Sequence, residues 1–125
     1  MTGRRTKGEL EQAVLDILGA AAGPATVGEV LEQLPGAPAY TTVMTTLARM
    51  ADKGALVQLR DGRAFRYHLA AAPDHVGDAV AARQMRKLLQ DRLDRAGVLT
   101  RFVSELDPDE ERLLADLLAA ERSRG

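Results

Sequence analysis

The hydrophobic period of this chain changes once between Ala39 and Leu69, and the change falls at a glycine. Up to Lys53, the large apolar residues Val43, Leu47 and Met50 recur at i, i+4 and i+7, which places them on one buried helical stripe. Beyond Gly54 the spacing becomes an alternation. Leu56 to Arg60 and Ala64 to Leu69 flank Asp61-Gly62, a strong hairpin signal in this setting. Phe65, Tyr67 and Leu69 then share the face expected to lie on the helices, while Arg66 and His68 point away. Gly54 suits the left-handed residue that ends a helix, and Lys53 sits against the negative helix end. A helix running directly into a hairpin follows.

Upstream, two further short helices precede it. Thr6-Lys7-Gly8-Glu9 has capping-box spacing ahead of Leu10, Val14, Leu15 and Leu18, so a first helix is expected over about Gly8 to Ala21, stopped by Gly23-Pro24. Thr26-Val27-Gly28-Glu29 repeats the cap, and Val27, Val30, Leu31 and Leu34 mark a second helix that Pro35 and Gly36 end. Met1 to Arg5 reads as a polar, basic, frayed end. Three helices and a hairpin with Arg60 and Arg63 at its tip make a winged helix-turn-helix, mainly α with one small β-hairpin. The expected boundary of this domain is residue 72.

From Pro73 the pattern is purely helical. Val76, Val80, Met85, Leu88, Leu89, Leu93 and Ala96 stripe a helix expected to run for about six turns. Val98, Leu99, Phe102, Val103 and Leu106 begin a shorter amphipathic set. Asp107-Pro108-Asp109-Glu110 then starts a last helix, with a cap, a proline at its first position and acids near its positive end. Leu113, Leu114, Leu117 and Leu118 give that helix an apolar face with no obvious cover within one chain, and a second copy is the economical cover. Residues 73–125 therefore read as a helical dimerisation domain, with Val80, Leu88, Leu89, Leu93, Phe102, Leu106 and the four leucines of the last helix as its contacts.

Composition narrows the function. A formal net charge of −1 argues against a protein that coats nucleic acid indiscriminately, so DNA contact must be local. With no Cys, thiolate metal sites and Cys nucleophiles are absent, as suits a reduced cytoplasmic setting. No apolar run approaches the roughly 20 residues of a membrane span, and Met1 to Lys7 lacks the apolar core of a signal peptide, so the chain is expected to stay inside the cell without membrane insertion. His68 and His75 have no metal-ligand context, and Asp107, Asp109, Glu110 and Glu111 are accounted for by a helix start rather than by acid-base catalysis. Neither an enzyme, a cofactor nor a metal is expected.

The candidate interface with double-stranded DNA lies opposite the buried stripe. There Thr41, Thr45, Ala48 and Asp52 are flanked by Thr42, Met44 and Arg49, mostly short side chains that a groove can admit. Thr is a mediocre helix former, so clustering it on an outer face brings no stability; its hydroxyls and methyls suit base edges and the thymine methyl. Thr41, Thr42, Met44 and Thr45 are the expected base readers, with Arg49, Lys53, Arg60 and Arg63 on phosphates. Tyr40 fits either core packing or a phosphate contact, and Arg66 either joins the DNA contacts or pairs with an acid of its own domain. The rival function is a winged-helix protein-interaction module without DNA binding, which the near-neutral charge allows and the absence of aromatic or aliphatic anchors on the outer face disfavours.

Gly8-Glu9-Leu10-Glu11, Thr26-Val27 with Glu29-Val30, Ala39-Tyr40-Thr41-Thr42-Val43-Met44-Thr45 with Leu47, Arg49-Met50 and Lys53-Gly54, and Gly62-Arg63-Ala64-Phe65-Arg66-Tyr67 occur in an order that resembles the penicillinase repressor family, the bacterial BlaI, MecI and CopY regulators of resistance genes. The likeness spans nearly the whole chain. It implies a homodimer on a dyad-symmetric operator that blocks transcription, with C-terminal helices that intertwine. Repressors of the lactam type in that family are inactivated when a membrane receptor protease cuts an Asn-Phe bond; the matching bond is Arg101-Phe102, with the Phe kept and the Asn replaced. Copper-responsive relatives use C-terminal Cys pairs, a route closed to a chain without Cys.

Overall fold

The computed structural model describes residues 6–125, so the expectation of a frayed Met1 to Arg5 lies outside the described residues. The chain divides into two compact units, Met1–Met85 and Arg86–Gly125. The division falls inside a helix.

The first unit opens with α1 (Lys7–Ala20), whose cap Thr6 accepts a hydrogen bond from the Glu9 backbone N–H at 3.1 Å. A two-residue strand, β1 (Ala25–Thr26), leads into α2 (Val27–Gln33). Thr26 does double duty there. It pairs in the sheet and also caps α2, its hydroxyl accepting from Glu29 N at 3.1 Å while its own N–H donates to Glu29 Oε1 at 2.8 Å. The capping box expected from the sequence is thus complete, but β1 was not, because two residues carry no period to read.

Next comes α3 (Tyr40–Lys53), which buries Val43, Thr46, Leu47 and Met50. Its end is a Schellman motif: Gly54 N donates to Ala51 O and Ala55 N donates to Met50 O, with Gly54 at φ +94°. The positive φ is one reason for glycine. A close neighbour is the other, since a Cβ at Gly54 would lie 2.7 Å from the Cβ of Arg83. The hairpin strands β2 (Leu56–Asp61) and β3 (Ala64–Leu69) follow, and the antiparallel sheet has the order β1-β3-β2. Asp61 pairs with Ala64, so the loop residues are Gly62 and Arg63. Only the first has a positive φ, +64°, the pattern of a type II′ turn.

Register sorts the hairpin faces. Leu56 opposes Leu69, Gln58 opposes Tyr67 and Arg60 opposes Phe65, all on the core side. Burial declines along that row. Tyr67 is enclosed and its hydroxyl accepts from Gln58 Nε2 at 2.8 Å, whereas Phe65 is 39% exposed. The expectation that Phe65 would pack on the helices is therefore corrected: the hairpin projects beyond the core, and Phe65 instead carries the Arg60 guanidinium 5.5 Å from its ring centre.

After a 3-10 turn (Pro73–His75) the chain enters α4 (Val76–Gln90). Val76 is buried in the core with Leu10, Val14, Leu18, Val30, Leu47 and Tyr67, and Val80 packs partly against it. Two residues read as belonging to the C-terminal stripe therefore complete the first unit. The long helix anticipated from Pro73 to Ala96 is also corrected. It stops at Gln90, and α5 (Arg95–Ser104) begins anew where Asp94 caps it by accepting from Gly97 N at 2.9 Å. An aspartate that can satisfy a free N–H competes with helix continuation, and Leu93 is left in the solvent-exposed junction.

The second unit ends with α6 (Pro108–Arg124), with Pro at its first turn and Asp107 as its cap, as read from the sequence, and Glu110 accepts from the Asp107 N–H at 3.0 Å to complete a capping box. Leu89, Leu106 and Leu114 are half-buried, and the other large apolar side chains of α5 and α6 are exposed. No helix among the described residues is long and apolar enough to cross a membrane.

Candidate nucleic-acid interface

The two faces of α3 differ sharply. Val43, Thr46, Leu47 and Met50 anchor one face in the core, and Tyr40, Thr41, Thr42, Met44, Thr45, Ala48 and Arg49 stand exposed on the other. On α3 the sequence missed only Thr46, which is buried within a run otherwise rich in outer threonines. Ala39 caps α3 without a side-chain bond, and its carbonyl accepts from Thr42 N at 3.0 Å and Val43 N at 3.1 Å. Ala39 thus offers no capping side chain, unlike Thr6, Thr26, Asp94 and Asp107 at the starts of α1, α2, α5 and α6, and the start of α3 carries no acidic residue in its first turn. That arrangement suits an anion.

The start of α1 extends this face. Thr6, Lys7 and Leu10 line a shallow groove of about 440 Å³ against Thr41, Thr42, Thr45, Thr46 and Arg49. Lys7 was not singled out by sequence reasoning, because a lysine after a capping threonine looks like any solvated first-turn residue. Nothing local in the sequence reports that the start of α1 lies beside α3.

The cations fall into two groups. Among the described residues, Arg49 and Arg63 have no hydrogen-bond or ion-pair partner. Arg63 occupies the exposed wing loop, and Arg60 lies one residue pair below it, stacked on Phe65. The others are engaged by their own fold. Lys53 Nζ is 3.3 Å from Glu11 Oε1, tying the end of α3 to α1. Arg66 donates through Nε to Asp61 Oδ2 at 2.6 Å and through Nη1 to Glu29 Oε1 at 3.2 Å and the Pro24 carbonyl at 3.4 Å. The intradomain pairing left open for Arg66 is the one observed.

These bonds move two pKa values. The Thr26 N–H holds the Glu29 carboxyl below its ordinary range, with the Arg66 charge adding to the effect against a weaker opposing cost of burial. The hydrogen bond to Asp61 raises Arg66, which keeps its charge throughout. His68 Nδ1 meets the Leu69 carbonyl at 2.8 Å and His75 Nδ1 meets Asp78 Oδ2 at 3.1 Å, so the two histidines are occupied separately. Among the described residues no three His, Asp or Glu side chains gather as a metal site.

A three-helix core with an exposed, hydroxyl-rich third helix and an arginine-tipped hairpin defines a winged helix-turn-helix DNA-binding regulator. The profile of the penicillinase repressor family matches residues 7–120, and the chain belongs to that family. It is similar to the transcriptional regulator BlaI of Mycobacterium tuberculosis, in strains CDC 1551/Oshkosh and ATCC 25618/H37Rv, at 40% identity over 126 residues covering 94% of this chain and 88% of the relative. Among solved structures, the PcaV transcriptional regulator from Streptomyces coelicolor, in complex with its natural ligand, aligns with a TM-score of 0.48 at 22% identity, over 98% of this chain and 79% of that one. The protein is a transcriptional repressor of that family and not an enzyme.

Proposed function

We propose that the protein represses transcription as a homodimer on an inverted-repeat operator, with Thr41, Thr42, Met44 and Thr45 reading the major groove and Lys7, Tyr40, Arg49, Arg60 and Arg63 holding the phosphate backbone. The observation that carries this reading is α3 itself, which anchors four inner residues in the core and turns an exposed face of short polar side chains outward. Lys53 enters the interface only by releasing Glu11, or by offering the fraction of its charge that an exposed ion pair leaves unneutralised.

The other unit supports a second copy. Leu88 is 71% exposed, and Leu99, Phe102, Val103, Leu113, Leu117 and Leu118 are each about half exposed, an apolar surface that water disfavours and that a twofold copy of the same surface covers. Twofold pairing places two recognition helices on half-sites one DNA turn or a multiple apart, roughly 34–36 Å. Release by proteolysis at Arg101–Phe102 fits the same scheme. The bond lies inside α5, and cutting it separates α6, with Leu113, Leu117 and Leu118, from the remainder of the dimer surface. A membrane receptor protease is the partner this implies.

Selection of bound duplexes from a random DNA pool by the full chain, with its mass measured by sedimentation, tests the reading. An inverted repeat and a dimeric mass are expected. A monomer at working concentrations, or binding without preference for any inverted repeat, would overturn it.

A further inference from the structure

Beyond Tyr67 the hairpin leaves the core. Phe65 and Arg60 are exposed, so burial does little to fix the angle at which the wing tip projects. Arg66 lies on the opposite face of β3, beside Thr26 of β1 and Leu59 of β2. From there its guanidinium reaches in two directions. Nε bonds Asp61, the residue just before the Gly62-Arg63 loop, at 2.6 Å. Nη1 bonds Glu29 Oε1 at 3.2 Å and the Pro24 carbonyl at 3.4 Å, and the same Glu29 oxygen accepts from Thr26 N at the start of α2. One planar cation therefore joins the base of the wing loop to the first turn of the helix-turn-helix.

We propose that Arg66 serves DNA binding as a positioning residue and not as a DNA ligand: it holds the wing at a fixed angle to α2, so that Arg60 and Arg63 meet the backbone while α3 occupies the groove. The inference rests on the DNA-binding reading given above. A guanidinium already bonded to two carboxylates and a carbonyl has to abandon them to reach a phosphate, and its fork geometry is what lets it satisfy both acids together. Lysine, a point charge on a flexible stem, keeps the charge and loses the fork. Asp61 acquires a role by the same argument. An acid at the base of a DNA-facing loop repels phosphate, and its ion pair with Arg66 offsets that repulsion while orienting the arginine.

The two roles predict opposite signs. We would measure binding of the full chain to its selected operator by fluorescence anisotropy across a salt series, for the wild type, Asp61→Asn, Arg66→Gln, Arg66→Lys, Arg63→Ala and the Arg63→Ala/Arg66→Gln pair. Positioning predicts that Asp61→Asn weakens binding about tenfold and flattens the salt slope, although it removes a negative charge. Arg66→Lys should lose about as much as Arg66→Gln, and Arg66→Gln should add little once Arg63 is already gone. A role confined to fold stability leaves affinity unmoved at temperatures well below unfolding, which melting curves of each variant establish. Tighter binding by Asp61→Asn, or near-wild-type affinity of Arg66→Lys beside a slope lowered by about one in Arg66→Gln, overturns the proposal and makes Arg66 a phosphate ligand. If Arg66→Gln is unfolded at the assay temperature, Asp61→Asn decides alone, its carboxylate being exposed. A wild-type chain that prefers no duplex sinks the DNA-binding reading and this proposal with it, whereas failure of the proposal alone leaves wild-type binding intact.

Discussion

Residues 6–85 and 86–125 use the same apolar vocabulary to different ends. In the first unit, Val14, Val30, Val43, Leu47, Met50 and Tyr67 are almost wholly enclosed by one another, so its fold is complete within one chain. In the second, α5 and α6 are well capped helices, yet Leu99, Phe102, Val103, Leu113, Leu117 and Leu118 remain open to solvent. Caps satisfy backbone donors but bury nothing, and short helices draw most of their stability from packing. Local signals can thus be equally clear in a region that encloses its apolar side chains and in one that leaves them exposed.

The contrast breaks most dramatically at Leu117. Replacing it with Asp puts a charge into the face proposed to meet a second copy, and sedimentation should then report a monomer, with operator affinity reduced by about 100-fold or more while residues 6–85 stay folded. A persistent dimer would mean that this face of α6 is not the interface. Leu47→Ala probes the finished core instead: it should cost about 3 kcal/mol in denaturant unfolding, and the loss should be independent of protein concentration. Leu118→Ala, by contrast, should give a loss that shrinks as the protein is concentrated.

Smaller changes sharpen the division of labour within the first unit. Arg63→Ala should weaken operator binding by about tenfold for all sequences and lower the salt slope by about one, whereas Thr45→Ala should alter which duplexes are selected. An unchanged slope for the first would remove the wing from the interface. The smallest effect is expected at Glu29. Its carboxyl is held below the ordinary range chiefly by the Thr26 N–H and further by Arg66, so its contribution is fully present above that range and lost as the pH falls through its lowered folded value. Melting temperatures of wild type and Glu29→Gln should differ by a few degrees near neutrality and converge in acid. A gap that persisted in acid would show that the carboxylate charge is not what Glu29 contributes.

Much of the first unit was legible because its determinants are local. Thr6 and Thr26 announced their helices through caps, Gly54 ended α3 through its left-handed conformation, and the Val43, Leu47 and Met50 stripe picked out the inner face of α3. The outer face, with its threonines and Arg49, followed by subtraction. Illegible features depended on distance along the chain. Arg66 stayed open between a DNA contact and an intradomain pair until Glu29, 37 residues away in sequence, was placed beside it. Lys7 looked irrelevant until α1 was set against α3. Val76 and Val80 carry the same helical period as Met85 and Leu88, and only packing shows that the first pair closes one core while the second pair stays exposed. The stripe from Val76 to Ala96 read as one long helix, whereas Asp94 is the cap that starts a new one.

By itself, the sequence determined the elements of the winged domain, its buried stripe and the polar helix face turned away from it, because capping, turn chemistry and periodicity act between residues a few positions apart. Tertiary structure alone decided which cations are committed to the protein's own carboxylates and which are left for a partner. Ion pairing depends on separation in space, and a hairpin folded back beside a helix brings together charges whose positions in the chain give no sign of it.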